Sequence, residues 1–123
     1  MENITVNVQD SDHNADKWEF AAQDEFGDSI ATLYMRRRSE CVAIGHLFGL
    51  NVEEEHQSEG IARQLVSKAE AFARTQNITV LQATVIASNS ASHSLLLSRG
   101  WRVSATFNNP KSGNDVSLYV KTL

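Results

Sequence analysis

The chain has 123 residues, 41% of them hydrophobic, with 11 basic against 15 acidic side chains and a formal net charge of −4. That length suits one domain whose core needs neither disulfide staples nor a structural metal, and the lone Cys41 has no partner for an intramolecular bridge. The acidic balance argues against a generic nucleic-acid or membrane-surface binder, no apolar run approaches the roughly 20 residues of a membrane helix, and neither a signal peptide nor a zinc-spaced Cys/His cluster is evident, so a single cytoplasmic globular domain without metal is expected.

Residues 4–9 alternate apolar and polar and predict a short half-buried strand. The polar stretch from Asp10 to Lys17 lacks apolar periodicity and reads as a loop or a short irregular turn. Trp18, Phe20 and Ala22 resume the alternation, Phe26-Gly27-Asp28 signals a turn, and Ser29 to Met35 is β-rich, which together predict an antiparallel hairpin. The run Arg36-Arg37-Arg38-Ser39-Glu40 reads as a solvated turn, or alternatively as a local patch for an acidic partner or a phosphate. Cys41 to Val52 is the longest strand signal. Val42, Ile44, Phe48, Leu50 and Val52 recur there with period two, and Gly45 and Gly49 permit a bulge.

The period then changes. Ile61, Leu65, Val66, Ala69, Phe72 and Ala73 share one face of a helix over about 60–75, with Arg63, Lys68, Glu70 and Arg74 elsewhere on it. Asn77 marks its end, because asparagine tolerates a left-handed cap. Residues 78–87 predict a central strand covered on both faces. Asn89 or Ser90 caps a second helix through about Arg99, and Gly100 stands where a helix C′ glycine belongs. Trp101 to Phe107 and Val116 to Val120 predict two further strands around a polar loop. The order β-β-β-β-α-β-α-β-β gives a mixed α+β class, with one parallel pair in a mostly antiparallel sheet.

The junction Leu50-Asn51-Val52-Glu53-Glu54-Glu55-His56-Gln57-Ser58-Glu59-Gly60-Ile61-Ala62-Arg63 runs from a strand through a short loop into a helix N-terminus. Unpaired backbone N–H groups and the positive end of the helix dipole make such a place a natural anion site. Gly60 and Ala62 are small enough to let a phosphate approach the backbone. Further on, Asn89 lies eleven residues before Gly100, and Trp101 follows directly.

Taken in order, these pieces resemble the GNAT superfamily of acyl-CoA-dependent N-acyltransferases over roughly residues 41–107. In that family the fourth strand ends in an apolar-x-Val pattern, matched by Leu50-Asn51-Val52. A pyrophosphate loop of the form Gln/Arg-x-x-Gly-x-Gly/Ala follows, matched by Gln57-Ser58-Glu59-Gly60-Ile61-Ala62. The resemblance implies acetyl-CoA as co-substrate, held in a cleft where the fourth and fifth strands splay apart. Backbone amides of Leu50 and Val52 would meet the pantetheine arm, with the Val52 side suited to polarise the thioester carbonyl. Amides from Gln57 to Ala62 would hold the pyrophosphate, Arg63 would approach a phosphate, and Asn89 would reach the pantetheine while also capping its helix.

Three features depart from the family pattern. A tyrosine commonly stands seven residues after the Asn as general acid for the departing thiolate; here that position is Leu96, with Ser94, Ser98 or a water as partial substitutes and His93 nearby as a helix-surface residue. Glu53, Glu54, Glu55 and Glu59 crowd the anion loop, where they weaken cofactor binding unless they face solvent. Only Asp10 to Lys17 separates the first two strands, where relatives insert two helices that wall the acceptor site.

The expected function is N-acetyl transfer to an amine by direct attack through a tetrahedral intermediate. The open acceptor side suits an amine on a protein or peptide, unless a second copy of the chain in a homodimer supplies the wall. A base must deprotonate the amine, whose ordinary pKa is near 10.4. His46 is the first candidate and Glu53, acting through water, the second; a buried core histidine is the competing reading of His46. The alternative function is a catalytically weak or inactive GNAT-fold module that binds another macromolecule.

Overall fold

The computed structural model of the chain describes residues 4–11 and 14–123. Its elements are β1 (Thr5–Ser11), β2 (Asn14–Gln23), β3 (Ser29–Arg38), β4 (Cys41–Val52), α1 (Ile61–Thr75), β5 (Val80–Ile86), α2 (Ser90–Ser98), β6 (Arg102–Asn108) and β7 (Asp115–Thr122), with a 3-10 turn at Glu54–His56. The strands form one sheet in the order β1-β2-β3-β4-β5-β7-β6. Every neighbouring pair is antiparallel except β4 and β5, as the strand-helix-strand centre predicts.

The helices carry the signals that set their ends. Asn77 has a φ of 62° just beyond α1. The Asn89 side chain accepts from the Ser92 amide at 3.1 Å and so caps α2. At the other end Gly100 has a φ of 85°, its amide reaches Leu97 O at 3.1 Å, and the Trp101 amide reaches Leu96 O at 3.0 Å. Those two bonds make a Schellman motif, which ends the helix and turns the chain into β6.

Both helices lie on one face of the sheet. Ile61, Leu65, Val66, Ala69 and Ala73 of α1 are buried there, and Phe72 meets Trp18 and Phe20 edge-to-face at 5.5 and 5.7 Å. From α2, His93 Nδ1 lies 2.6 Å from the hydroxyl of Tyr119, which shares its side of β7 with Lys121, the partner of Glu70 on α1. Among the described residues no helix covers the opposite face, where Tyr34, Phe48, His46, Gln82 and Thr84 stand.

Several sequence expectations change here. The polar stretch Asp10 to Lys17 is not a loop: β1 and β2 pair directly, from Thr5 opposite Gln23 to Ser11 opposite Asn14, and residues 12 and 13 lie outside the described residues. Polar cross-strand bonds support this half-exposed ribbon, such as Gln9 Nε2 to Glu19 Oε1 at 2.8 Å. The arginine run also belongs to a strand. Arg37 alone turns toward the helix side, where it donates to Asp16 Oδ1 (3.0 Å), Val42 O (2.6 Å) and Gln76 O (3.0 Å).

In β4 the helix-facing positions are Gly45 and Leu47, not Val42, Ile44 and Phe48; Val42 is 67% exposed. A bulge at Gly49 exchanges the two faces, so Leu50 and Val52 return to the helix side. Both glycines offered for a bulge adjoin a register shift against β3, Gly49 between Phe48 and Asn51 and Gly45 at the shift between Arg37 and Arg38. Gly45 also gives way to the core, since a Cβ there would come within 3.0 Å of Leu81 Cδ2. Finally, β5 is covered on one face only, and Thr84 and Ile86 are exposed.

Glu70 is the largest surprise in α1. The helical wheel leaves it off the apolar face, yet it is only 2% exposed. Its carboxylate accepts from Arg99 Nε (3.1 Å) and Nη2 (2.8 Å), Trp101 Nε1 (3.0 Å) and Lys121 Nζ (2.9 Å). One side chain thereby ties α1 to the end of α2, the start of β6 and to β7.

Candidate functional site

Strands β4 and β5 stay paired only from Ile44 opposite Val80 to Leu47 opposite Ala83. Beyond that point β4 follows β3 instead. Tyr34 faces Phe48 and Thr32 faces Asn51, so one residue of β3 spans two of β4 and the strand bends. Gly49 sits at the bend with a φ of 67°, and a Cβ there would lie 2.9 Å from Tyr34 Cδ2. Only glycine meets both conditions without strain.

The gap so opened holds a cavity of about 240 Å³. Leu47, Val66, Ala83, Leu95 and Leu96 line it from the helix side, whereas Phe48, Thr84 and Ile86 line it from the bare side. Residues of both strand faces therefore border one space, and the cavity crosses the plane of the sheet. A second cleft of about 440 Å³ continues from it along the start of α1, sharing Leu50, Asn89, Ser92 and Leu95.

The polar groups along this channel are chiefly backbone. The Glu53 amide donates to Ile30 O of β3 at 2.9 Å. Strand alternation then points the Leu50 and Val52 amides the other way, into the gap that β5 has left. Gln57 Nε2 donates to Val52 O at 3.1 Å and folds the loop back onto the strand end. Ser58 and Gly60 follow with φ of 67° and 81°, and the first intrahelical bond of α1 runs from the Gln64 amide to Gly60 O. The amides of Gly60 to Arg63 thus have no acceptor within the helix and face the second cleft, a concave set of donors at a positive helix end.

The structure brings together Leu50, Asn51, Val52, Gln57, Ser58, Gly60, Ile61, Ala62, Arg63 and Asn89 around the second cleft. Glu59 does not line it. Its carboxylate lies 3.0 Å from His56 Nδ1, and His56 is a lining residue that the sequence reading missed. Glu53, Glu54 and Glu55 are exposed on the 3-10 turn and its flank. Arg63 Nη1 donates to Ser98 Oγ at 2.7 Å, and that hydroxyl in turn donates to Leu95 O at 2.7 Å. Ser98 is therefore committed to Arg63, and Ser94 is exposed outside both clefts.

Ser92 instead lines both spaces. The spacing from Asn89 held that signal, because the residue whose amide a cap accepts lies at the same helix end as the cap. Leu96, 5% exposed, faces the cavity.

His46 is not among the cavity-lining residues. It stacks on Phe48, ring centroids 6.4 Å apart, and its Nδ1 is buried without a partner. Burial first, and then the charges of Arg38 and Arg36, hold its pKa below the ordinary value. His93, expected on the helix surface, is instead a strut. Its Nε2 lies 3.0 Å from Ile86 O, which requires a proton there, so Nδ1 accepts from the Tyr119 hydroxyl. Replacing Tyr119 by Phe removes that donor and should cost about 1 kcal/mol, read as a lower denaturation midpoint without loss of the fold.

A splayed parallel pair, amides facing the gap and a donor-rich helix start together form a cleft for an extended anionic ligand. The profile of the acetyltransferase (GNAT) family matches residues 5–101. The chain belongs to the GNAT acetyltransferase family. Solved structures agree on the GNAT fold. The IAA acetyltransferase from Bacillus cereus superposes with a TM-score of 0.85 at 12% identity, covering 98% of this chain and 99% of that one. A GNAT family acetyltransferase from Elizabethkingia anophelis with acetyl-CoA bound gives 0.85 at 14% identity, covering both chains completely. The ribosomal-protein-S18-alanine N-acetyltransferase from Escherichia coli gives 0.77 at 18% identity, covering 91% and 72%. No curated protein matches this GNAT chain in sequence. Among the described residues no helix is long and apolar enough to cross a membrane.

Proposed function

We propose that this GNAT protein transfers the acetyl group of acetyl-CoA to an amine by direct attack. The observation that carries the reading is the cavity through the sheet, with Leu50 on its edge and Val52 in the cleft that continues from it. The loop Gln57–Ala62 and Arg63 would hold the pyrophosphate, while Leu50, Val52 and Asn89 would line the pantetheine path. The thioester carbonyl would lie beside the gap. The amine then approaches from the bare sheet face and the coenzyme from the helix face. Attack forms the C–N bond, the Val52 amide stabilises the oxyanion, and the C–S bond breaks to release the thiolate. A thiol of pKa about 8.5 leaves tolerably near neutral pH without the missing tyrosine.

Calorimetry with acetyl-CoA, followed by assay of free CoA thiol in the presence of amines, tests this. Binding and amine-dependent thiol release are expected, and Gly60→Trp should abolish both. Absence of binding at millimolar acetyl-CoA would overturn it.

His46 is assigned as the base, acting through water past Phe48, with Glu53 second. His46→Gln should lower kcat by about 10²–10⁴-fold. A base must be neutral to accept a proton, so the rate falls as pH drops through its pKa. Because that pKa is lowered, the acidic limb of the pH profile should lie below 6.5 and vanish in the variant. A wild-type limb at or above that value would move the role to another group.

The direct pairing of β1 with β2 leaves the acceptor side open, which favours an amine on a peptide or protein, or a wall lent by a second copy in a dimer. One observation favours the non-catalytic reading: Leu96 puts an alkyl side chain where a proton donor is usual. Acetyl-CoA binding without turnover on any amine would select it. Leu96→Tyr should then raise the rate rather than lower it.

A further inference from the structure

The bare face of the sheet carries an ordered polar pattern beside the opening. Cross-strand register places Lys17 opposite Arg36 and Arg36 opposite His46, so three basic side chains cross β2, β3 and β4 in one row. The next row toward the opening is Glu19, Tyr34 and Phe48. Tyr34 and Phe48 stack at 5.6 Å with planes 22° apart, and Phe48 lines the cavity itself. Arg36 Cζ lies 5.4 Å from the Phe48 centroid, and Lys17 Nζ lies 5.8 Å from it.

The other arginines of the run already have protein partners. Arg37 has three protein acceptors, and Arg38 pairs with Glu40 at 2.9 Å. Arg36 is exposed and makes no ion pair among the described residues; its contact is the face of Phe48. The one carboxylate in the adjoining row, Glu19, accepts from the Tyr34 hydroxyl at 2.8 Å and from Gln9 at 2.8 Å, on the far side of Tyr34 from the opening.

We infer that Arg36 selects the acceptor: an amine bearing a carboxylate a few bonds from the nitrogen, so that the amine enters past Phe48 while the carboxylate meets the guanidinium. This rests on the acetyl-transfer reading of the same cavity. Arginine suits the role because its planar fork offers paired donors that match a carboxylate. The cations Lys17 and Arg36 also lower the pKa of an amine held beside them, which favours the neutral nucleophile. A free amino acid and a peptide with an acidic first residue present the same chemistry.

The test compares α-amino acids with their carboxamides, and tripeptides beginning with Glu with those beginning with Gln, by CoA thiol release. Carboxylate acceptors should show a kcat/KM at least about tenfold above their amides, in one of the two series. Arg36→Gln should collapse that ratio, Arg36→Lys should keep part of it, and added salt should shrink it. Equal rates for acid and amide in both series, or a ratio unchanged in Arg36→Gln, would overturn the inference. Saturation-transfer NMR of the same pairs on the CoA-loaded protein reads acceptor binding without turnover. Arg36-dependent binding of the acids with no turnover on any amine would count against acetyl transfer while upholding the role of Arg36. Loss of that dependence in the NMR titration would overturn the role itself.

Discussion

Glu70→Ala should destabilise the protein by about 3 kcal/mol or more, because it removes the one carboxylate that Arg99, Trp101 and Lys121 share and leaves Lys121 only Arg99 O as an acceptor. Arg99 and Lys121 keep partial access to water, but Trp101 Nε1 would lose its partner inside the core. Glu70→Gln should fare little better. Every group facing the site is a donor, and an amide offers one acceptor oxygen beside two further donors. Chemical denaturation at neutral pH measures both variants, and a change below about 1 kcal/mol for Glu70→Ala would show that the network has little net worth.

The same carboxylate makes stability depend on pH. Desolvation alone would raise its pKa, but hydrogen bonds from Arg99, Lys121 and Trp101 outweigh that and bring it from 4.5 down to about 2. A depressed folded-state pKa stabilises above the unfolded value and ceases to do so as pH falls through the folded one. The contribution, about 3 kcal/mol, should therefore be complete above pH 5 and fade between about 4.5 and 2. Denaturation midpoints followed through that window should fall steeply in the wild type and less so in Glu70→Gln.

Gly49→Val should cost more function than stability. Valine strongly resists a φ of 67°, and its Cβ would collide with Tyr34. The least costly relief is to remove the bulge, which reverses which way the Leu50 to Val52 segment faces and turns its amides out of the gap. Loss of one oxyanion donor typically costs about 10²–10³-fold in kcat, so acetyl transfer should drop at least that far while circular dichroism still reports the sheet. Retention of wild-type turnover in a folded variant would mean that the bulge does not aim the amides proposed to meet the thioester.

Much of this molecule was legible because its signals are local. The cap at Asn89, the glycine at 100, the left-handed Asn77 and the loop Gln57–Ala62 each depend on a few adjacent residues. What the sequence concealed depends on distant ones. Glu70 finds Arg99, Trp101 and Lys121 at separations of 29, 31 and 51 residues, so a helical wheel sees only a charged side chain to be placed in water. Arg37 likewise meets Gln76 from 39 residues away. Period two along β4 identified a strand but could not say which parity faced inward, since Gly49 exchanges the faces midway. The polar start of β2 concealed a strand because cross-strand pairing, rather than apolar burial, supports it. His46 was proposed from its position before Leu50, and the side chain that borders the opening proved to be its neighbour Phe48.

The short parallel register of β4 and β5 also has a mechanical meaning. Among the described residues a short pairing, Ile44–Leu47 against Val80–Ala83 extended by the Thr79 amide to Ala43 O, joins the β1–β4 half of the sheet to the β5–β7–β6 half, with α1 and the Glu70 cluster bracing the joint from one side. The seam of the molecule and the proposed site of acetyl transfer are thus the same place. A ligand that touches Leu50 on one lip and Asn89 on the other acts as a suture between the halves. Hydrogen exchange at Val85 and Ile86 should slow on coenzyme binding more than exchange in the β1–β2 ribbon, which lies wholly on one side of the seam.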